Sequence, residues 1–175
     1  MAHHYGDFMK KPNYVVVSGG FDPVHIGHVR MFNEASMHGP LVVVLNSDEW
    51  LMRKKGYVFM SFEERAEIIR SFRNVYDDVA VDDTDDTVCE AIQRLKPKYF
   101  ANGGDRTNNN TPEMKLCKKL NIKLLWNVGG GKIQSSSELV SNSNKQEYEL
   151  SEQQMTDPFD LFEVHPNDEQ NIKNA

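Results

Sequence analysis

The sequence predicts an α/β protein whose core is a parallel β-sheet of about five strands with helices on both faces. Two observations support this prediction. Short apolar segments rich in valine and leucine alternate along the chain with longer segments of helical periodicity, and this alternation is typical of parallel strands connected by helices. Glycine or polar residues follow several of the apolar segments, as expected where strands end at the ligand-binding edge of such a sheet.

The first part of the chain is predicted to contain three strands and two helices. The strands are Tyr14–Ser18, Leu41–Leu45 and Val79–Val81. Valine dominates the first two, and such β-branched runs favour buried parallel strands. The first helix, Gly27–Met37, is expected to stop at Gly39 and Pro40. The second helix runs from a capping box that opens at Ser61 to about Phe72.

The second part is predicted to add two strands and three helices. The strands are Tyr99–Ala101 and Lys123–Val128. A helix over about Thr87–Leu95 has Asp85 or Asp86 as its candidate N-cap. Pro112 marks the start of the next helix, because proline fits the first helical turn. A capping box formed by Ser135 and Glu138 opens a last, short helix.

Three regions of the chain differ in composition. Residues 1–12 are polar and predicted to be flexible, residues 13–140 form the predicted folded domain, and residues 141–175 form a tail. The tail carries eight acidic residues and two lysines, so it accounts for the whole formal net charge of −6. Few apolar residues and charge of one sign are typical of disorder, and we predict a largely disordered, acidic tail.

The composition also argues against several classes of protein. No segment approaches the roughly 20 apolar residues that cross a bilayer, and no basic stripe indicates a nucleic-acid partner. Cys89 and Cys117 lack the spacing of a metal site, so a reducing compartment is the expectation. We therefore expect a cytoplasmic protein that binds neither nucleic acid nor membrane.

The most informative segment is residues 18–31, which read SGGFDPVHIGHVRM. It places a glycine turn directly after the first strand and two histidines at the start of the first helix. His25 and His28 are three residues apart, so both side chains can lie on one face of that helix. A glycine turn, two imidazoles and a helix N-terminus together form a site suited to anionic oxygen.

Residues 19–28, GGFDPVHIGH, resemble the signature of the nucleotidylyltransferase superfamily, the cytidylyltransferase-like enzymes. The family motif is Gly-x-Phe-Asp-x-x-His-x-Gly-His, and it appears here without a gap. The resemblance covers roughly residues 14–140, and the most similar subgroups are the glycerol-3-phosphate cytidylyltransferases and the heptose-1-phosphate adenylyltransferases. It implies a Rossmann-like fold and a homodimer.

The resemblance also implies a reaction. A nucleoside monophosphate, AMP or CMP, would pass from ATP or CTP to a phosphorylated small molecule of the sugar phosphate or glycerol phosphate class, and pyrophosphate would leave. Mg²⁺ is expected as cofactor because of the charge of the triphosphate. No metal site made of protein side chains is predicted, since the histidine pair has no third ligand at a sensible spacing.

The glycine turn and the histidines supply the first group of candidate residues. His25 and His28 are predicted to donate to phosphate oxygen and to be catalytic. Gly19, Gly20 and Phe21 would offer backbone N–H groups to the phosphates. Asp22 has two possible roles, which are to orient the loop or to reach a magnesium ion.

Basic residues further along the chain supply the second group. Arg53, Lys54 and Lys55 are predicted to lie in the loop after the second strand, where the resemblance places a flexible basic loop that closes on phosphate. Lys54 and Lys55 are candidate catalytic residues; the alternative is a solvated run of charge. Arg65 matches a family arginine that contacts phosphate, and the alternative is an ion pair within its helix.

Two later segments complete the predicted nucleotide site. Gly104 and Asp105 belong to a Gly-Gly-Asp string that resembles the loop along the base and ribose in the heptose adenylyltransferases; a plain turn is the alternative. Ser135, Ser136 and Ser137 open a helix and would bind phosphate, or serve only as caps. The arginine that precedes these serines in the cytidylyltransferases is absent, which favours ATP over CTP.

Three other classes of function are alternatives to this assignment. A non-catalytic nucleotide sensor on the same fold would be expected to have lost the histidines, and both are present. A class I aminoacyl-tRNA synthetase would be longer and would carry a Lys-Met-Ser-Lys-Ser loop. An interaction protein could use the tail segment Asp157–Phe162, DPFDLF, in addition to catalysis.

Overall fold

The computed structural model describes residues 13–104 and 111–143. Its strands are β1 (Val15–Gly19), β2 (Leu41–Leu45), β3 (Val75–Ala80), β4 (Tyr99–Gly103) and β5 (Lys123–Val128). Its helices are α1 (Ile26–Ser36), α2 (Asp48–Lys55), α3 (Phe62–Arg70), α4 (Cys89–Leu95) and α5 (Pro112–Lys119). The backbone is helical again over residues 136–143.

All strand pairs are parallel, and the strand order is β3-β2-β1-β4-β5. The predicted α/β class with a Rossmann-like parallel sheet is thereby confirmed. Strand β1 lies at the centre, with Val15 opposite Leu41 of β2 and opposite Tyr99 of β4. The chain order reverses direction between β1 and β4, and ligands of open α/β sheets bind at the carboxyl ends of strands beside such a reversal.

The sheet is covered on both faces, as predicted. Alternate residues of β1 point to opposite faces, so that Val15 and Val17 join one buried cluster and Val16 joins the other. Helices α1 and α3 supply the first cluster with Phe32 and Ile69, and α4 and α5 cover the second. Both sides of the central strand are therefore closed to solvent, and its carboxyl end is left for chemistry.

The chain divides into two compact units, Met1–Ser137 and Glu138–Ala175. The sheet lies in the first unit. In the second, the structure describes only residues 138–143, which are helical. The predicted flexible N-terminus, 1–12, lies outside the described residues, as does most of the predicted tail. The domain boundaries therefore stay predictions.

The segment Arg53-Lys54-Lys55 was wrongly predicted as a loop, because it forms the last turn of helix α2. The Ser47 side chain accepts the N–H of Trp50 at the start of this helix, and Gly56 ends it with a φ of 80°. Acidic residues in the first turn and basic residues in the last complement the helix dipole. The three basic residues are therefore held on a helix.

Two smaller boundaries also differ from prediction. Strand β3 begins at Val75, four residues before the predicted start, because edge pairing with β2 tolerates Asp77 and Asp78. Helix α4 has Val88 as its N-cap and no side-chain cap. The predicted cap Asp85 instead accepts hydrogen bonds from the N–H and hydroxyl of Thr87.

Cys89 and Cys117 are both free thiols. Burial raises the pKa of the Cys117 thiol to about 11, which keeps it protonated and unreactive at neutral pH. Within residues 13–104 and 111–143, none of the helices combines the length and the apolar character needed to span a membrane.

Candidate active site

A cavity of about 320 Å³ opens at the carboxyl ends of β1, β4 and β5. We call it the first cavity. Ten of the predicted site residues line it, namely Gly19, Gly20, Phe21, His25, His28, Lys55, Gly104, Ser135, Ser136 and Ser137. These residues come from four separate parts of the chain, and the sheet topology brings them together.

The two histidines hold each other in one defined arrangement at the start of α1. The Nδ1 atom of His25 accepts the N–H of Gly27 at 3.1 Å, and the Nδ1 atom of His28 accepts the N–H of His25 at 3.3 Å. A neutral imidazole whose Nδ1 accepts a hydrogen bond carries its proton on Nε2. Each ring therefore retains an Nε2–H group as a donor.

Both histidines are neutral at physiological pH. Burial, followed by the nearby His25 and Lys55, lowers the pKa of His28 to about 3. Burial is also the first cause of the lowered pKa of His25, and Lys55 adds to it. The pair therefore provides neutral hydrogen-bond donors and does not add two positive charges to the site.

Ring packing fixes the orientation of these donors. The imidazoles of His25 and His28 stack with centroids 3.8 Å apart, and the ring of Phe21 meets His28 edge-on at 4.9 Å. Phe21 itself has a φ of 50°, a conformation that few non-glycine residues adopt. A side chain at Gly20 would place its Cβ 2.6 Å from Cδ2 of the buried Leu51, so Leu51 would have to move to admit one.

Asp22 anchors the glycine turn to the segment that follows α2. Its carboxylate is fully buried and accepts the N–H groups of Phe59 at 2.8 Å and Met60 at 2.7 Å. Each carboxylate oxygen therefore already has a backbone donor. Of the two predicted roles, these contacts support orientation of the loop rather than contact with magnesium.

The two candidate lysines have different surroundings. Lys55 lines the first cavity, and its Nζ donates to the carbonyl of Asp22 at 3.0 Å. Burial lowers the pKa of Lys55, although Asp22 partly opposes the shift. Lys54 does not line the cavity, and its Nζ pairs with Asp86 at 3.1 Å. Of the two candidate lysines, Lys55 is the one that lines the first cavity, and Lys132 lines it as well.

Arg65 lies behind the glycine turn and not in the cavity. Its guanidinium is fully buried and donates to the carbonyls of Gly20 at 2.7 Å, Asn46 at 3.0 Å and Met60 at 3.1 Å. It also pairs with Asp48 at 2.6 Å. All these partners belong to the protein, and Arg65 does not line the first cavity. The geometry therefore does not support the contact with phosphate that the resemblance implies.

The serine segment and the Gly-Gly-Asp string meet the rest of the site in different ways. The hydroxyl of Ser136 donates to the carbonyl of Pro23 at 2.8 Å, so its proton is already used. A Cβ at Gly104 would overlap the carbonyl oxygen of Gly130, so the close approach of these two loops requires glycine at position 104. Asp105 lies outside the described residues.

Three site residues were not found from the sequence. Asn102 lines the first cavity, is 3% exposed, and has an Nδ2 group without a hydrogen-bond partner in the described chain. Trp50 also lines the first cavity. It lies on α2, which the sequence did not predict, so no sequence pattern indicated that Trp50 faces the site. Asp83 accepts from Asn46 and twice from Ser47, at 2.7–3.0 Å, and so fixes the start of α2.

A second cavity of about 610 Å³ lies beside the first. Ser18, Gly19 and Trp50 line both cavities. The remaining walls of the second cavity come from Asn46 after β2, from Phe100 of β4, and from the segments at the starts of α4 and α5. Two adjoining cavities at one sheet edge can hold two ligands side by side.

No group of three histidine, cysteine, aspartate or glutamate side chains suited to a metal ion occurs in residues 13–104 and 111–143. The described lining of the first cavity also contains no aspartate or glutamate. Any divalent ion there would need most of its oxygen ligands from a bound anion.

A model of the cytidylyltransferase-like family matches residues 16–139. The FAD synthase of Pyrococcus abyssi is 37% identical over 94 residues, which cover 53% of this chain and 63% of that protein. The bifunctional protein HldE of Gluconobacter oxydans is 35% identical over 114 residues, which cover 63% of this chain and 23% of that protein. The matched segment thus spans less than two thirds of either relative.

Among solved structures, the lipopolysaccharide core biosynthesis protein of Thermoplasma volcanium superposes with a TM-score of 0.55 at 24% identity. The superposition covers 66% of this chain and 95% of that structure. At this level of identity, the similarity demonstrates a shared fold.

Proposed function

The chain belongs to the cytidylyltransferase-like family, and from this membership we propose that it is a nucleotidylyltransferase. It would transfer AMP or CMP from ATP or CTP to a phosphorylated small molecule and release pyrophosphate. The observation that carries the proposal is the pair of stacked, neutral histidines beside Lys55 in the first cavity.

In the proposed reaction, a phosphate oxygen of the acceptor attacks the α-phosphorus, and the bond to the pyrophosphate oxygen breaks. Such a transfer needs little covalent help from protein, but it needs in-line positioning and donors where charge accumulates. The Nε2–H groups of His25 and His28 are suited to donate to the phosphate oxygens. Because their Nδ1 atoms are already bonded, the donors need no reorganisation during reaction.

Neutral histidines also explain why a nearby lysine is useful. The triphosphate brings several negative charges, and the imidazoles cancel none of them. Lys55 lines the first cavity together with Lys132, and it contacts the loop of the glycine turn through its bond to the carbonyl of Asp22. The N-terminus of α1 adds a partial positive charge of about half a unit.

Magnesium belongs to the proposal as a companion of the triphosphate. The described lining of the first cavity offers no carboxylate to hold it, so phosphate oxygens and water would be its ligands. Its contribution when bound would be to neutralise phosphate charge.

The base is proposed to be adenine. Gly104 and Gly103 match the adenylyltransferase string, and the cytidylyltransferase arginine is absent before Ser135. The name of the relative FAD synthase, an enzyme whose product contains adenine, supports the same choice. Equilibrium binding of ATP and CTP in the presence of magnesium tests it, and tighter binding of CTP would reverse the assignment.

A pyrophosphate-release screen tests the function itself. The full chain would be given ATP or CTP with magnesium and, in turn, glycerol 3-phosphate, sugar 1-phosphates, phosphocholine, phosphoethanolamine and FMN. Release that depends on both substrates, and that His28→Ala slows by at least about 10²-fold but His38→Ala does not, supports the proposal. If every pair is silent while ATP still binds, the chain is a nucleotide sensor on the same fold.

A homodimer and a cytoplasmic location also stay predictions. Light scattering coupled to gel filtration measures the first, and a mass near 20.1 kDa would contradict it. Fractionation of cells that produce the protein measures the second.

A further inference from the structure

This inference rests on the proposed function and concerns the part of the first cavity that the ends of β4 and β5 form. Residues 101–104 and 128–131 line the cavity there, and none of them has a charged side chain. We call these residues the uncharged wall. His25, His28 and Lys55 line the cavity beside the glycine turn. If these three groups hold the triphosphate, the uncharged wall is left for the nucleoside, which itself carries no charge.

Three consecutive glycines, at positions 129–131, form the part of the uncharged wall that follows β5. Gly129 and Gly130 have φ values of 87° and 79°, in the left-handed region that favours glycine. Glycine also loses more conformational freedom on ordering than any other residue. Such a loop forms a defined wall only where other parts of the chain hold it, or where a ligand orders it at a cost in conformational entropy.

Glu34 of α1 holds this loop from one side. Its Oε2 atom accepts the N–H of Gly129 at 2.9 Å, across 95 residues of sequence. A Cβ on Gly129 would lie 2.7 Å from the backbone nitrogen of Met31, so the loop lies directly against the backbone of α1. On the other side, Gly130 closely approaches Gly104 after β4. The loop is therefore enclosed between α1 and the end of β4, and Glu34 bonds it to α1.

The helix itself does not need a glutamate at position 34. Glu34 is exposed, lines neither cavity and lies near the end of α1, where the helix dipole disfavours a negative charge. Alanine is also a better helix former than glutamate. The bond to Gly129 is therefore the contribution of Glu34 that this position in the helix does not explain.

We propose that Glu34 is a positioning residue for nucleotide binding, whose carboxylate holds the loop 129–131 in the conformation that receives the nucleoside. ATP then does not have to order the three glycines when it binds, and a preorganised site binds more tightly for this reason. The effect concerns the nucleoside and not the phosphates, because His25 and His28 lie at the opposite end of α1 and Lys55 lies on α2.

Two ligands that share a phosphate chain test this role. The full chain is titrated calorimetrically with ATP and with inorganic tripolyphosphate, each in the presence of magnesium. Glu34→Ala should raise the Kd for ATP about five- to tenfold, the size of one hydrogen bond, and should change the Kd for tripolyphosphate by less than about twofold. A variant that was merely less stable would lose affinity for both ligands alike.

Two further variants separate the hydrogen bond from the charge. Glu34→Gln keeps an oxygen acceptor at the same distance from the backbone, so its Kd for ATP should stay within about twofold of that of the starting protein. Glu67→Ala removes an exposed carboxylate of α3 that lines neither cavity, and it should leave both affinities unchanged. Equal losses in Glu34→Ala and Glu34→Gln would contradict the hydrogen bond as the cause.

Gly129→Ala displaces the same loop by another route. The added Cβ would meet the backbone nitrogen of Met31, so the loop has to leave its place against α1. The Kd for ATP should rise at least as much as in Glu34→Ala. The double variant should then bind ATP about as well as Gly129→Ala alone, because residues that act through one contact are not additive. Additive losses would show that Glu34 acts elsewhere.

The titrations also distinguish a failure of this inference from a failure of the proposed function. An unchanged affinity of Glu34→Ala for ATP, or equal losses for ATP and tripolyphosphate, would overturn the role of Glu34 and leave the proposed function intact. If the starting protein binds tripolyphosphate but not ATP, both the inference and the proposed function are wrong.

Discussion

The guanidinium of Arg65 donates a hydrogen bond of 2.7 Å to the carbonyl oxygen of Gly20, 45 residues earlier in the chain. The bond links a fully buried cation in α3 to the glycine turn that forms one wall of the first cavity. The resemblance implies that Arg65 contacts phosphate directly. In this structure Arg65 instead holds the backbone of the glycine turn, whose N–H groups are proposed to bind phosphate.

Arg65→Lys should destabilise the protein strongly. A lysine cannot replace the donors to Gly20, Asn46 and Asp48 at once, and each hydrogen bond lost from a charged group costs about 1.5–3 kcal/mol. Unfolding in urea measures the loss. Arg70→Lys is the matched control, because its side chain is 63% exposed, and it should cost less than about 1 kcal/mol. Equal losses in both variants would contradict the role assigned to Arg65.

His28→Ala should lower turnover by about 10²–10³-fold, the usual effect of removing one preorganised donor. The KM for the nucleotide should change less, because the interaction strengthens in the transition state. The free energy of unfolding of this variant should also fall by about 1 kcal/mol, because the His28 side chain accepts the N–H of His25. Steady-state kinetics and thermal unfolding measure the two effects, with exposed His38→Ala as control. Unchanged turnover in a destabilised variant would make His28 purely structural.

Stability should fall as the pH is lowered from about 6.5 towards 5. The folded-state pKa of His28 is about 3 and the pKa of His25 is also lowered, so in this window the unfolded chain binds more protons than the folded one. His28 can contribute a slope of up to about 1.4 kcal/mol per pH unit, and the less buried His25 contributes less because solvent screens it. Urea unfolding at several pH values measures it. His28→Gln should have a shallower slope, and an identical slope would contradict the lowered pKa.

Ser136→Ala should affect stability more than nucleotide binding. The hydroxyl proton is already donated to the carbonyl of Pro23, so we expect a loss of about 1 kcal/mol in the free energy of unfolding. This reverses the expectation from the sequence, in which Ser136 had hydroxyl capacity left for phosphate. Calorimetric titration should show that the Kd for ATP changes by less than about threefold. A change of that size lies within the usual variation in the contribution of a single hydrogen bond. A tenfold loss of affinity without loss of stability would restore the direct contact.

Local sequence determined much of the fold and of the site. Valine-rich runs specified β1 and β2, and the string from Gly19 to His28 specified a glycine turn followed by a helix with two histidines. These features depend on neighbouring residues, because strand burial and helix capping act over a few positions. Helix α2 was missed although Ser47 provided a cap signal, since its polar residues and short length give little periodicity.

Only the tertiary structure decided which side chains face the cavities. Asp22 meets the N–H groups of Phe59 and Met60, 37 and 38 residues away, and Arg65 meets Gly20 across 45 residues. Lys54 and Lys55 are neighbours in sequence, yet one pairs with Asp86 and the other lines the first cavity. Sequence patterns fix residue types and local backbone, but the direction of a side chain and the partners that consume its hydrogen bonds follow from packing between distant segments.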